Sequence, residues 1–304
     1  MTMFQYYQSI LFLFIHFLGM SLAAKFTFVN QCTYTIWPAT LTGAGTPELP
    51  ASATGFSLLP GATNVLNIPA SWSGRMWART LCTANSAGGN FSCATADCGS
   101  GSVECSGSGA RPPATLAEFT LNGSGGMDFY DVSLVDGYNL PMMVRPVGGS
   151  GNCSSTGCMV DLNGSCPTEL QVVTSTYGSN VEEVACKSAC EAFGDAQYCC
   201  SGPNATPDTC KPSKYSEFFK AACPSAYSYA YDDATSTFTC NGADYVITFC
   251  PTTTTTGKSS GTQSPNPSAI APDYYLMDSS SNYLIQSSIV GLLITMIIWL
   301  SLYQ

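Results

Sequence analysis

The chain contains a single histidine, His16, and it lies in an amino-terminal segment that we expect to be removed. Residues 10–22 form an apolar run that is too short to cross a membrane, and small residues follow it just before Lys25. This pattern predicts a signal peptide over residues 1–24. The mature chain would then have no histidine, which excludes Ser-His-Asp and Cys-His catalysis and any histidine-ligated metal.

Basic residues are also scarce, with 10 Lys and Arg against 20 Asp and Glu. An acidic surface is a poor match for nucleic acid, so we predict no nucleic-acid partner. The chain has no Cys-x-x-Cys pair, no phosphate-binding loop, no dinucleotide-binding motif and no heptad repeat. We therefore predict that it binds neither a metal ion nor a cofactor.

Cysteine is abundant instead: the chain has sixteen, and all of them lie between Cys32 and Cys250. An even number confined to one block predicts a disulfide framework made in an oxidising compartment. Spacing alone leaves the pairing open, because sixteen cysteines allow about two million connectivities by the usual counting. We interpret residues 25–251 as one secreted, monomeric domain.

The composition changes after Cys250. Residues 252–283 are rich in Ser, Thr and Pro, with too few apolar residues to pack, and predict a linker. A hydrophobic tail follows over residues 284–304. Small residues before an apolar tail are typical of a GPI signal, and a membrane span is the alternative. We favour the GPI signal because no Lys or Arg follows the apolar run.

Glycosylation is expected on a chain that passes through the secretory pathway. The Asn-x-Ser/Thr pattern predicts four acceptor sites, at Asn90, Asn122, Asn163 and Asn204. A fifth match at Asn152 is discounted because Cys153 occupies its middle position.

Short alternating apolar runs separated by Gly, Pro, Asn and Ser predict a mainly β domain, either a sandwich or a barrel. The runs lie at 25–30, 33–37, 64–68, 75–80, 115–121, 129–134 and 245–249. Asn180, with Glu183 three residues later, resembles a capping box and predicts a helix that ends at Gly194. On this helix Cys186 and Cys190 would share one face. A shorter helix is predicted over 215–222.

Three sequence blocks point to a known family. They are GNFSCATADC at 89–98, RPPATLAEF at 111–119 and DFYDVSLVDGYNLPM at 128–142. Together they resemble the signature of thaumatin-like proteins, the plant pathogenesis-related defence proteins. The resemblance covers roughly residues 25–251, including every cysteine. It implies a flattened β-sandwich with a helix-bearing, disulfide-rich second region and a small third region.

The resemblance also implies how the cysteines pair. The implied bonds are Cys32–Cys250, Cys82–Cys93, Cys98–Cys105, Cys153–Cys240, Cys158–Cys223, Cys166–Cys186, Cys190–Cys199 and Cys200–Cys210.

An acidic cleft is a further expectation from the family. Its arginine, glutamate and three aspartates fall on Arg75, Glu118, Asp131, Asp136 and Asp232. Asp233, next to the last of these, is a substitute for it.

Carboxylates that converge in one cleft repel each other, so at least one should have a raised pKa. Glycosidic-bond cleavage needs a protonated acid beside an ionised carboxylate, and these roles would fall to Glu118 and to Asp131 or Asp136. The same carboxylates can instead bind sugar hydroxyl groups without turnover. In that case aromatic rings would stack on the sugar, with Phe129, Tyr138 and Phe219 as candidates.

We therefore predict an antifungal defence protein, held at the outer face of the plasma membrane or in the cell wall. Its expected partner is β-1,3-glucan or another cell-wall glycan, bound through the cleft. A weak endo-β-1,3-glucanase is one alternative. A defence protein that permeabilises fungal membranes or binds other proteins is the second.

Overall fold

The computed structural model describes residues 23–84, 90–176 and 180–252. Almost all of the expected signal peptide, linker and tail lies outside these ranges, so the three assignments stay predictions. Within the described ranges, none of the helices has the length and apolar character needed to cross a membrane.

The described chain is mainly β, as predicted, with twelve strands and four short α-helices. The strands are β1 (Ala24–Asn30), β2 (Trp37–Thr42), β3 (Thr63–Ile68), β4 (Ser73–Ala84), β5 (Phe91–Thr95), β6 (Leu116–Thr120), β7 (Asp128–Ser133), β8 (Met142–Ser150), β9 (Thr156–Cys158), β10 (Gln171–Thr176), β11 (Asn180–Cys186) and β12 (Phe238–Phe249). The helices are α1 (Ala189–Phe193), α2 (Ala196–Cys199), α3 (Lys214–Ala222) and α4 (Asp233–Ser236).

Ten of the strands form one curled sheet in the order β2-β4-β6-β7-β12-β1-β3, with β5 beside β4, β8 beside β12 and β9 beside β8. Strand β12 closes the curl because its start pairs with β7, while its end pairs with β1 and β8. The pair β1 and β12 is parallel. Strands β10 and β11 form a separate hairpin.

Aromatic side chains fill the core between the two halves of this sheet. The ring of Phe26 on β1 lies 4.8 Å from the ring of Phe119 on β6, in an edge-to-face arrangement. Tyr245 on β12 lies 5.1 Å from Phe119 and 5.3 Å from Tyr130, measured between ring centroids. All four rings are buried, and the Tyr245 hydroxyl donates a hydrogen bond of 2.9 Å to buried Asp128. The aromatic rings of the core are therefore closely packed, and the buried Tyr245 hydroxyl has a hydrogen-bond partner.

The structure contains all eight disulfide bonds that the resemblance implies, and none of the sixteen cysteines is free. The bond Cys32–Cys250 joins the two ends of the domain across 218 residues. The other bonds involve residues between those ends.

The helix predicted from Asn180 to Gly194 is wrong in its first half. Residues 180–186 form β11, paired antiparallel with β10, because β-branched Val181 and Val184 suit a strand better than a helix. Helix α1 starts only at Ala189, where the side chain of Ser188 accepts a hydrogen bond from the main chain of Glu191. Its end at Gly194, in the left-handed conformation, is as predicted. Cys186 and Cys190 therefore do not share a helical face.

The strand predicted over 33–37 is also displaced, since β2 starts at Trp37. The buried side chain of Asn30 donates to the carbonyl groups of Tyr34 and Leu58 and accepts from the main chain of Cys32. These bonds hold the segment in a turn. The other six predicted strands lie within or overlap β1, β3, β4, β6, β7 and β12, and the predicted helix over 215–222 is α3.

Candidate functional site

Three neighbouring strands place Arg75, Glu118 and Asp131 side by side in one row. Arg75 on β4 is paired with Glu118 on β6, and Glu118 is paired with Asp131 on β7. Side chains directly opposite each other on antiparallel strands have Cβ atoms about 4.5–5.5 Å apart. Their sequence neighbours Ala117 and Val132 face the core, so alternation turns the three charged side chains to the outer face.

This outer face is covered at one end only. Trp77 and Leu116 lie on the same face, two residues from Arg75 and Glu118 along their strands. Both are buried against residues from the segment 96–114. The cover stops before the row, where the side chains of Arg75 and Glu118 are 43% and 36% exposed. The charged row is therefore the floor of an open depression.

The depression consists of two pockets that share Arg75, Glu118 and Asp131. The first, of about 410 Å³, extends towards residues 41–44 and Phe129. The second, of about 370 Å³, extends along residues 133–136, Tyr227, Ala230 and Asp233. We call the two together the acidic cleft.

Arg75 partly neutralises the cleft. Its Nε lies 3.7 Å from Oε1 of Glu118, and its Nη1 lies 4.0 Å from Oδ2 of Asp136. Burial nevertheless raises the pKa of Glu118; the Arg75 charge opposes this rise, and the Asp136 charge adds to it. Glu118 therefore holds its proton to a higher pH than an ordinary glutamate.

Asp131 is the more strongly perturbed acid. Burial raises its pKa to about 8, and the charges of Glu118 and Asp233 act in the same direction. Its Oδ1 atom is buried and has no hydrogen-bond partner among the described residues. The acid assigned from the sequence was Glu118, whereas in the structure the pKa is raised further at Asp131. A carboxyl group with so high a pKa can donate a hydrogen bond as well as accept one.

The structure brings together four of the five residues that the resemblance places in the cleft: Arg75, Glu118, Asp131 and Asp136. It does not bring Asp232 there. The Asp232 carboxylate lies 2.9 Å from Nζ of Lys220 and lines neither pocket. Its neighbour Asp233 lines the second pocket instead.

The expected stacking platforms are only partly available. Phe129 lines the first pocket, but Tyr138 and Phe219 are fully buried and cannot meet a ligand. Tyr227 lines the second pocket and was not identified from the sequence. No local pattern marks it, because only the tertiary fold carries it to β7.

The predicted glycosylation sites differ in their surroundings. Asn90 and Asn122 are exposed. The side-chain amide groups of Asn163 and Asn204 donate to the main-chain carbonyl groups of Asn139 and Thr209, at 3.2 and 2.9 Å. In the described ranges, no group of three or more His, Cys, Asp or Glu residues is placed to hold a metal ion.

Comparison with known proteins gives one family. A model of the Thaumatin family matches residues 30–251. "Thaumatin-like protein 1" of Arabidopsis thaliana is 57% identical over 255 residues, which is 81% of this chain and 94% of the relative. A Prunus avium protein named "Glucan endo-1,3-beta-glucosidase" is 56% identical over 230 residues, 75% of this chain and 91% of the relative.

Among solved structures, a laminaripentaose-producing β-1,3-glucanase in complex with laminaritetraose shares the fold. It aligns with a TM-score of 0.50 at 12% identity, covering 75% of this chain and 98% of the glucanase.

Proposed function

The chain belongs to the thaumatin family, and on that premise we propose that its acidic cleft binds β-1,3-glucan or a related cell-wall glycan. The observation that carries the proposal is the row of Arg75, Glu118 and Asp131 across three paired strands, at the floor of an open cleft. A rigid floor of this kind holds its polar groups in place before the ligand arrives, which lowers the entropic cost of binding.

The chemistry of the cleft suits a neutral, hydroxyl-rich polymer. Ionised carboxylates accept hydrogen bonds from sugar hydroxyl groups, while protonated Asp131 and the Arg75 guanidinium donate to sugar oxygens. Phe129 and Tyr227, one in each pocket, add aromatic faces of the kind that pack on sugar rings.

A binding assay with a turnover readout tests this proposal. The secreted protein is incubated with insoluble β-1,3-glucan, and both bound protein and released reducing ends are measured. Glu118→Gln and Asp131→Asn each remove a charge or a proton donor at nearly constant shape. Asp208→Asn, at an exposed position outside the cleft, is the control.

If the cleft binds glucan without turnover, retention occurs and no sugar is released. Glu118→Gln should then weaken retention by about 1–3 kcal/mol, because it removes a charged acceptor. Asp131→Asn should change retention less, because its amide still donates hydrogen bonds, and the control is unchanged. If both cleft variants are retained as well as the wild-type protein, the cleft is not the binding site. Lysis of fungal cells that lack accessible glucan would then point to the membrane as the target.

A weak endo-β-1,3-glucanase is the second candidate, and the paired acids favour it. Asp131 would donate its proton to the oxygen of the leaving sugar, and an ionised Glu118 or Asp136 would activate the attacking water. Release of reducing ends that falls about a hundredfold or more in Asp131→Asn, with retention kept, would support hydrolysis. The Prunus avium relative that carries a glucanase name is consistent with this reading.

We also propose that the protein acts outside the cell as a monomeric, antifungal defence protein. Eight disulfide bonds suit an oxidising compartment, and a relative from Cryptomeria japonica is named a pathogenesis-related thaumatin-like protein. The tail over 284–304 would direct a GPI anchor. Release from cells by a phosphatidylinositol-specific phospholipase would support this anchor, whereas resistance, with the tail peptide recovered by mass spectrometry, would favour a membrane span.

A further inference from the structure

The outer part of the second pocket is built by residues 226–237, a segment that continues into β12 and that main-chain hydrogen bonds join to β7 near its start. The main chain of Tyr227 donates to the carbonyl of Val132 at 2.9 Å and accepts from the amide of Leu134 at 2.8 Å. These bonds extend β7 by one bridge and bring the Tyr227 ring to the cleft. The rest of the segment needs other supports, because it forms no ladder with the sheet.

Lys220, on α3, makes the main side-chain contacts that hold this segment. Its Nζ donates to Oδ2 of Asp232 at 2.9 Å, to Oγ of Ser236 at 2.9 Å and to the carbonyl of Ala226 at 3.1 Å. An ammonium group has three donors, so all three are engaged within this one segment. The Lys220 side chain is only 26% exposed, which limits competition from water.

Asp232 completes this arrangement from the other side. Its Oδ2 also accepts from the main chain and the hydroxyl of Ser228, both at 3.0 Å, and its Oδ1 accepts from Thr235 at 3.3 Å. The side chain is only 12% exposed. Both carboxylate oxygens are therefore used inside the segment, and Asp232 is turned away from any ligand in the cleft.

Asp233 has the opposite surroundings. It is exposed at the start of α4 and lines the second pocket together with Glu118 and Asp131. The hydroxyl of Tyr227 donates to its Oδ1 at 2.9 Å. This bond sets the direction of the carboxylate, and it joins the aromatic and the acidic group of the second pocket into one unit.

We propose that Asp233, rather than Asp232, is the fourth acidic residue of the cleft and contacts the glycan, and that the Lys220–Asp232 pair is a lock that positions Asp233 and Tyr227. The inference rests on the proposed function for its ligand. It differs from the family expectation, which places Asp232 in that role. The lock itself is a property of the folded protein and can be tested without any glycan.

The first experiment compares two adjacent substitutions on insoluble β-1,3-glucan. Asp233→Asn should weaken retention about 5- to 30-fold, as for the loss of a charged acceptor, with an unchanged melting temperature. Asp232→Asn should lower the melting temperature, because it breaks the lock, and should weaken retention less than Asp233→Asn does. Asp208→Asn is again the control. Loss of retention in Asp232→Asn at an unchanged melting temperature, with Asp233→Asn still retained, would overturn the inference.

The second experiment needs no glycan and follows the titration of the Asp131 carboxyl group by carbon-13 NMR. Asp131 faces Glu118 on β6 and Asp233 on α4, with Arg75 and Asp136 nearby at the cleft. Removing the Asp233 charge should lower the Asp131 midpoint, because that charge contributes to its raised pKa. Lys220→Met should lower the midpoint in the same direction by releasing Asp233, and Lys220→Arg should restore it in part.

The two experiments test the glycan ligand and the Lys220–Asp232 lock separately. A wild-type protein that is not retained on glucan, with Asp131 midpoints that shift as expected, would reject the ligand and keep the lock. Retention that depends on Asp233, with no midpoint shift in Lys220→Met and an unchanged melting temperature, would reject the lock. If Lys220→Met does not fold, Lys220→Arg and Asp232→Asn provide the same comparison.

Discussion

The cleft lies between two parts of the molecule that are stabilised in different ways. The strand body, formed by β1–β8 and β12, has a continuous aromatic core and long ladders. The helical region, residues 151–236, has helices of at most nine residues and a two-stranded hairpin. Nine of the sixteen cysteines lie in it. Short elements bury too little surface to be stable alone, so the helical region depends on its cross-links and on side chains such as Leu170, Tyr215 and Phe219 that pack into the same core as the strand body.

This difference extends to the two sides of the cleft. The register of β4, β6 and β7 fixes the relative positions of Arg75, Glu118 and Asp131, and this register depends only on main-chain pairing. Asp233 and Tyr227 are held instead by side-chain contacts, with α3 anchored behind them through Cys158–Cys223. The floor of the cleft is therefore expected to survive perturbations that displace its second side.

The largest effect should come from removing the disulfide bond that closes the longest loop within the helical region. Cys158→Ala with Cys223→Ala opens a loop of 65 residues and should lower the free energy of unfolding by about 4 kcal/mol on the chain-entropy estimate. Cys82→Ala with Cys93→Ala opens only 11 residues in the strand body and should cost about 3 kcal/mol. Urea unfolding measures both. A larger loss for the second pair would contradict the comparison.

A smaller effect is expected from two arginines that lie four residues apart on β4. Arg79 is fully buried, and its guanidinium donates to the carbonyl groups of Trp37 and Val103. Arg79→Met leaves those acceptors unpaired and should cost roughly 2–3 kcal/mol of unfolding free energy. Arg75→Met, at an exposed ion pair, should cost less than about 1 kcal/mol. Equal losses of unfolding free energy in chemical denaturation would show that the difference in burial between Arg79 and Arg75 does not determine their contributions to stability.

A further effect is a dependence of stability on pH. The pKa of Asp131 is about 8 in the fold and about 4 in an unfolded chain, so the native state binds more protons between these values. The free energy of unfolding should therefore fall as pH rises from about 4 to about 8, by at most about 1.4 kcal/mol for each pH unit. Asp131→Asn should remove this dependence.

Denaturation of the wild-type protein, Asp131→Asn and Asp208→Asn across that range provides the test. The wild-type protein and the Asp208 variant should follow parallel curves, and the Asp131 variant should be less dependent on pH. A wild-type curve that rises relative to the Asp131 variant would mean that Asp131 is ionised in the fold at lower pH.

The strand body was more predictable from the sequence than the helical region. Alternation along residues 115–121 and 129–134 is a local pattern, and it places Glu118 and Asp131 on the outer face without further knowledge. The segment from Asn180 misled because Asn-x-x-Glu resembles a helix start, whereas pairing with β10 decides its structure. A helix-start pattern considered by itself does not report pairing with another strand, even one as near in the chain as β10.

The acidic cleft also depends on contacts that local sequence patterns do not show. Resemblance places Asp232 in the cleft, and only the position of Lys220, twelve residues earlier on another helix, turns it away. Tyr227 likewise reaches the cleft through a bridge to β7. Both facts depend on tertiary contacts that neither composition nor spacing records. Local alternation therefore accounts for the outward direction of Glu118 and Asp131, whereas the contributions of Tyr227 and Lys220 are evident only in the fold.

A crystal structure of the protein with a β-1,3-linked glucose tetramer would show where the glycan binds. We expect sugar rings along the acidic cleft, with hydroxyl groups within hydrogen-bond distance of Glu118 and Asp131 and a ring against Phe129 or Tyr227. A tetramer bound at another surface, with the cleft open to solvent in the same crystal, would contradict this expectation.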